Sequence, residues 1–322
     1  MNVLITGAGG FIGSFLVESI SSDSQSYVYA LVSPWDKPSF RSKCNKNINE
    51  IIINLSKVEE LTLLFDRFSI DIVIHCAFIT DTSTKSMSAQ KIEKLNILTS
   101  SKLIELSLKS FVKRFVFISS AGIYKNQRKD LLNNEVDSIL PRNNYFYHKL
   151  AVENTISYHS KIQDSTNFII LRLGTIFGEN EKSSSTRPKT SLIHQILFFH
   201  KKQNFVRLND LGIFKDFFYI NNINSLIFSI LYTKKHDHLI YNVGSNQSFS
   251  IKEIFQILFQ NKIDCNYSIV DKANADIIVN LSHNRAPLDI DRISDSFSFN
   301  PYFTFEESIV KMFTNLNKRT AL

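Results

Sequence analysis

Two side chains four residues apart carry the strongest chemical signal in this chain. Tyr145 and Lys149 bracket the stretch Tyr145-Phe146-Tyr147-His148-Lys149, so a helix there places both on one face. An ammonium beside a phenol favours the phenolate and draws the tyrosine down from its usual pKa of about 10. Such a tyrosine can give or take a proton at a hydroxyl or carbonyl oxygen. Tyr147 is the poorer candidate, because Ala151 stands where its lysine would be. Upstream, Phe115-Val116-Phe117-Ile118 runs into Ser119-Ser120-Ala121. Hydroxyls at the carboxyl end of a buried parallel strand fall where ligands bind in open α/β sheets. A serine there can bond the reacting oxygen and share its proton with Tyr145. Each feature also has a plain structural explanation, an amphipathic helix with a surface lysine or a turn serine.

The N-terminus supplies a third feature. Val3-Leu4-Ile5 is a short apolar run, Gly7, Gly10 and Gly13 follow at intervals of three, and Phe11 to Ile20 is helical in pattern. Strand, glycine turn and helix in that order form a dinucleotide site. The helix start offers unpaired N–H groups and partial positive charge, and glycines let a pyrophosphate approach them. Phe11 and Ile12 stand at that start.

The elements that position these residues alternate. Strands are expected at Asn2–Thr6, Tyr27–Val32, Ile51–Asn54, Ile72–Cys76, Phe115–Ser119 and Phe168–Leu173. Helices are expected at Phe11–Ser21, Val58–Phe68, Ala89–Ser110 and Tyr145–His159. This rhythm predicts an α/β fold, a doubly wound parallel Rossmann sheet covered on both faces. It changes after Gly178. Residues 1–178 therefore read as mainly the dinucleotide-binding domain and residues 179–322 as mainly a smaller, partly interleaved substrate-binding lobe. The lobe is expected to hold helices at Leu192–Lys201, Asn222–Leu231 and Ile251–Phe259 and a strand at Phe214–Ile220.

Composition narrows the setting. The chain has 322 residues, is 43% hydrophobic, and carries a net charge of +7. Its basic residues are scattered and accompany no reading motif, which argues against nucleic acid. The same charge suits an anionic small molecule. Three separated cysteines (Cys44, Cys76 and Cys265) point away from disulfides and metal sites and towards a reducing cytoplasm. No apolar run is long enough to span a bilayer.

Seven segments in order resemble the extended short-chain dehydrogenase/reductases of the NAD-dependent epimerase/dehydratase family, whose members mostly modify nucleotide-activated sugars. They are TGAGGFIGS, IHCAF, LNILTSSKLIE, FISSAGIY, LRLGTIFG, KDFFYINN and YNVGSNQSFSIKEI. The resemblance spans nearly the whole chain. It implies catalysis by Ser120, Tyr145 and Lys149, with Lys149 also on the nicotinamide ribose. It implies cofactor contacts from Gly7, Gly10, Phe11, Ile12, Gly13, Ser33, Asn54, Ala77 and Asn96. Substrate contacts fall to Ser120, Thr175 and Lys215, with Arg187 or Lys189 nearby, and no metal is expected. The expected partner is a nucleotide diphosphate-sugar, and a homodimer stays open.

Departures from the family pattern bear on the reaction. Val32 and Ser33 stand where NAD-binding members place a carboxylate, and Lys37, Arg41 and Lys43 follow. This favours NADP over NAD, with Asp36 on the ribose as the alternative. Asn54 replaces the aspartate usual beside the adenine. Ala121 and Gly122 replace the Asp-Glu pair of the family's dehydratases, and neither can move a proton. Thr175 stands for a frequent asparagine, Lys215 for an arginine, and Asn221 and Asn222 for an acidic pair. The preferred reading is reduction of the 4-keto group of a nucleotide-linked 6-deoxyhexose. An NAD-dependent 4-epimerase of UDP-hexose type is the alternative, and a non-catalytic NADP sensor a third class.

Overall fold

Short β-rich runs pair in parallel because their residues are apolar on both sides of the chain. In this computed structural model, which describes residues 1–36, 40, 45–80, 87–183, 187, 189–234 and 236–318, the first half runs as follows. It comprises β1 (Asn2–Thr6), α1 (Phe11–Ser21), β2 (Tyr27–Val32), β3 (Ile48–Ile52), α2 (Val58–Arg67), β4 (Ile72–His75), α3 (Ala89–Glu93), α4 (Thr99–Lys109), β5 (Arg114–Ser120), α5 (Asn144–Ile162) and β6 (Asn167–Leu173). The second half holds β7 (Thr175–Phe177), α6 (Leu192–Gln203), β8 (Phe205–Leu208), β9 (Phe214–Lys215), β10 (Phe217–Tyr219) and α7 (Ile223–Tyr232). It ends with β11 (Ile240–Val243), β12 (Phe249–Ser250), α8 (Ile251–Gln260), β13 (Asn266–Ile269), α9 (Asp291–Phe297) and α10 (Phe305–Lys318).

Seven strands form one sheet in the order β11-β6-β5-β4-β1-β2-β3, every pair parallel. The order reverses between β1 and β4, and ligands of such sheets lie beyond the strand ends at that crevice. Val3 and Ile5 enter the core on one face, which includes residues of α1, α7 and α9. Leu4, Val73, Phe115 and Phe117 enter the core on the other, with residues of α2, α4 and α5. This is the Rossmann α/β architecture. A separate core joins α6, α8 and α10 around Phe177, Phe217 and Tyr219.

Three expectations shift. The edge strand lies at Ile48–Ile52 rather than Ile51–Asn54. It is set by pairing Ile48 to Val28 and Ile52 to Val32, and none of its residues is fully buried, so apolarity does not mark its ends. The helix expected over Ala89–Ser110 is interrupted by a π-helical turn, Lys94–Leu98, where Asn96 turns inward. The strand expected over Phe214–Ile220 breaks at Asp216. Its two pieces pair with different partners, β9 with β12 and β10 with β7.

A buried polar network locks α5 to the sheet. Arg172 of β6, 2% exposed, donates from Nη2 to Glu153 Oε2 at 2.7 Å and from Nε at 3.2 Å. Its Nη1 donates to the Tyr124 hydroxyl and the Glu135 carbonyl, both at 3.0 Å. Ser119 Oγ also donates to Glu153, and the Tyr124 hydroxyl donates to Asn242 at 2.7 Å. Burial pushes the Tyr124 phenol up to about 12. Removing one partner of such a pair strands the other charge, at a cost of about 3–5 kcal/mol. Glu153→Ala should lower the urea-unfolding free energy by that order, and a loss below about 1 kcal/mol would mean the network is slack.

Candidate functional site

β1 delivers the chain to Gly7, whose φ of +67° lies in the left-handed region. A Cβ there would also stand 2.6 Å from the Ala77 amide nitrogen, so both backbone shape and space require glycine. Gly10 N–H donates to Gly7 O at 2.9 Å and Gly10 caps α1. A Cβ on Gly13 would collide with the Gly7 carbonyl, so glycine seats α1 directly on the turn. The first turn of α1 has no acidic residue and no side-chain cap. Its positive end therefore faces the crevice with no acidic side chain in its own first turn.

Thr6 Oγ1 receives the Ala77 amide at 3.2 Å and meets His75 Nδ1 at 2.7 Å. His75 Nε2 meets Ser100 Oγ at 2.8 Å. Burial, helped by the charge of Lys149, drives the imidazole down to about 3, so it stays neutral. Asn96 accepts the Ile79 N–H at 2.8 Å, donates to the Ile79 carbonyl at 3.0 Å, and meets His148 Nδ1 at 3.2 Å. It braces the segment that leaves β4.

On the far side, Ser120 ends β5, and its hydroxyl accepts the Gly122 N–H at 3.2 Å. Asn143 caps α5 by accepting the Phe146 N–H at 3.1 Å, which places Tyr145 in the first turn. One turn on, Lys149 is 2% exposed and its Nζ donates to the Ile118 carbonyl at 2.6 Å. Burial pushes this ammonium down to about 7.

Ser120, Tyr145 and Lys149 line one cavity of about 740 Å³ with Gly7, Gly10, Phe11, Ile12 and Gly13. Thr175 and Lys215 line it from the second half of the chain, as do Asp36, Arg187 and Arg285. Lys215 Nζ donates to the His283 carbonyl at 2.7 Å. Burial, with the charge of Arg285, pushes it down to about 7. Burial likewise pushes Arg285 down to about 10, and its guanidinium lies 5.1 Å from the Phe146 ring centre. Asp216, fully buried, ties these walls together. It accepts from the Ser245 N–H and hydroxyl and the Leu288 N–H at 2.8–2.9 Å, and its carbonyl takes the Thr175 N–H at 2.7 Å.

Four of the sequence candidates for cofactor contact stand outside the cavity lining. Ser33 Oγ takes the Trp35 N–H at 3.4 Å, and Asn54 folds its own turn by accepting from Ser56. Ala77 backs the glycine turn and Asn96 braces Ile79. Lys37, Arg41 and Lys43 lie outside the described residues. Lys189 is exposed and does not line the cavity. Arg187 is paired with Glu181 and stands 5.5 Å from the Phe11 ring centre, on the side of the glycine turn. Ala121 and Gly122 are buried, and the Phe146 ring fills the space a Gly122 side chain would need. Sequence reasoning missed Arg285, which sits in an irregular segment ahead of Pro287, where no periodicity marks it.

A larger depression, about 950 Å³, opens at the opposite, amino-terminal ends of the strands around Arg114 and His236. There Arg114 donates to the Ile230 and Thr233 carbonyls, closing the end of α7. It shares nothing with Tyr145. Among the described residues no cluster of side chains could hold a metal, and no helix is long and apolar enough to cross a membrane.

The sequence pattern described as the NAD dependent epimerase/dehydratase family matches residues 3–244. A dTDP-D-glucose 4,6-dehydratase of Mus musculus is 24% identical over 96% of this chain and 86% of its own length. A dTDP-4-dehydro-6-deoxyglucose reductase of Escherichia coli is 23% identical over 98% of this chain and 97% of its own. The crystal structure of UDP-glucose 4-epimerase from Thermotoga maritima, solved with UDP-glucose, superposes with a TM-score of 0.82 at 18% identity. That superposition covers 99% of this chain and all of the other.

The two displaced lysines make stability depend on pH. Lys149 and Lys215 have folded pKa values of about 7 against about 10.4 unfolded. Between those limits the unfolded chain binds more protons, so their contribution makes stability rise with pH. Lys149→Met and Lys215→Met should each flatten the rise in unfolding free energy between about pH 7 and pH 9. An unchanged slope in both would mean that the lysines are solvated.

Proposed function

The chain belongs to the NAD-dependent epimerase/dehydratase family, a family of nucleotide-sugar enzymes, and we propose that it reduces the 4-keto group of a nucleotide diphosphate-linked 6-deoxyhexose. One observation carries this reading. Ser120, Tyr145 and Lys149 share a cavity with the glycine turn on one side and two desolvated cations, Lys215 and Arg285, on the other.

The glycine-turn side fits a dinucleotide. The first turn of α1 carries no acidic residue of its own, and the turn at Gly7–Gly13 leaves its N–H groups room for a pyrophosphate. A bound nicotinamide dinucleotide supplies the hydride. The residues do the rest. Ser120 and Tyr145 bond the keto oxygen, and Tyr145 gives it a proton. The Lys149 ammonium stabilises the phenolate left behind and has N–H groups beyond the Ile118 bond for the nicotinamide ribose. Lys215 and Arg285 take the substrate diphosphate, each recovering favourable charge interaction lost on burial. Dehydration is disfavoured, because positions 121 and 122 carry no titratable group and Phe146 fills the space beside them.

Asp36 favours a second reading, a 4-epimerase with retained NAD. Its carboxyl is half-buried and raised by burial, lines the cavity, and packs against Gly9, where a Cβ would lie 2.6 Å from its own. A carboxylate there suits the free hydroxyls of an adenosine ribose and repels a 2′-phosphate. The cations that argued for NADP, by contrast, lie outside the described residues.

Assays with NADH and NADPH across dTDP-, UDP-, GDP- and CDP-linked 4-keto-6-deoxyhexoses and UDP-hexoses test both. Reduction consumes the cofactor with a keto sugar, whereas epimerisation inverts C4 with no net consumption. Neither activity with any of them would sink the proposal. Tyr145→Phe should lower turnover by roughly 10²-fold or more with little change in cofactor affinity.

A further inference from the structure

The Lys149 ammonium poses a problem that its own helix does not solve. Tyr145 needs it charged, yet it is buried, and among the described residues no carboxylate is bonded to it. Glu153, one turn along α5, favours the ammonium through its charge but spends its hydrogen bonds on Arg172 of β6 and Ser119 of β5. From β4 it faces His75, held neutral, and Cys76, whose thiol burial pushes up to about 12. What does face it is aromatic. Nζ stands 3.6 Å from the centre of the Phe78 ring and 4.6 Å from that of Phe117. Phe78 also meets the Tyr145 ring at 5.6 Å with an interplanar angle of 85°. The next residue, Ile79, is held at both its N–H and its carbonyl by Asn96, so the backbone that carries this ring is anchored.

We propose that Phe78 is a positioning residue for proton transfer: its ring face keeps Lys149 an ammonium beneath Tyr145, and its contact with the phenol ring sets the direction of the hydroxyl. An aromatic face attracts a desolvated cation through its quadrupole. Phe78 thereby does for Lys149 what a carboxylate would do, without giving the phenolate a competing negative charge. The inference rests on the proton-donor role of Tyr145, but its test needs no substrate.

The Lys149 side chain can be titrated by NMR in free protein carrying ¹³C-lysine, its resonance identified by loss in Lys149→Arg. Replacing Phe78 with pentafluorophenylalanine keeps the shape and removes the attraction. The midpoint should fall by about one pH unit in that protein and in Phe78→Leu, while Phe78→Tyr, which keeps the face, should titrate like the parent. An unchanged midpoint in the fluorinated protein overturns the proposal, including when Phe78→Leu alone shifts, since that assigns Phe78 to packing. Should Phe78→Leu fail to fold, the fluorinated protein decides alone. A shifted Lys149 with no turnover of any nucleotide-sugar would remove the substrate reading and leave this one standing.

Discussion

Glu153 is the residue on which the geometry of the site depends. Tyr145, Lys149 and Glu153 follow at intervals of four on one helix, so fixing the last fixes the register of the other two. Arg172 holds Glu153 with two of its nitrogens, and Ser119 bonds it from the position next to Ser120. One carboxylate therefore ties α5 to β5 and β6 and sets the spacing between the serine, the phenol and the ammonium. A buried ion pair is weak evidence for stability, because desolvation offsets much of its attraction. Here its consequence is geometric: sliding α5 by one turn would strand Arg172 in the core.

Charge is distributed unevenly around the cavity. Lys149, Lys215 and Arg285 are all desolvated, and the ammonium of each lysine is bonded to a backbone carbonyl. Glu153 and Asp216, which stand behind these walls, are occupied with structure instead, and among the described acidic residues it is Asp36, at the glycine turn, that lines the cavity. Unanswered positive charge weakens the empty fold and favours a ligand that brings negative charge. Local rules are broken where chemistry is done, and the surrounding core makes up the difference.

Much of this was legible in the sequence. Unbroken apolar strands, the glycine spacing and the Tyr145–Lys149 interval sufficed for the Rossmann architecture, and together with the family resemblance they named ten residues that line one cavity. Glu153 was also within reach, since it continues the four-residue spacing of Tyr145 and Lys149. The rest was not. The edge strand β3 is fixed by pairing and is only half-buried, so its apolar run misplaces it. Asn96 produces a π-turn through a bond to Ile79, and no periodicity encodes a contact across that distance. Arg285 lies in an irregular segment whose course the remainder of the fold decides. Phe78 stood within a recognised strand-end segment, but its relation to Lys149 exists only once β4 and α5 are packed.

The central claim is that hydride reaches C4 of a nucleotide-linked sugar at the Tyr145 site, and isotope transfer tests it most directly. The protein would be supplied with nicotinamide cofactor deuterated on its transferable position and with nucleotide diphosphate-linked 4-keto-6-deoxyhexoses, and the products read by NMR. The account predicts one deuterium at C4 of the reduced sugar, with transfer largely lost in Tyr145→Phe. Deuterium at another carbon, or equal transfer without the phenol, would contradict it.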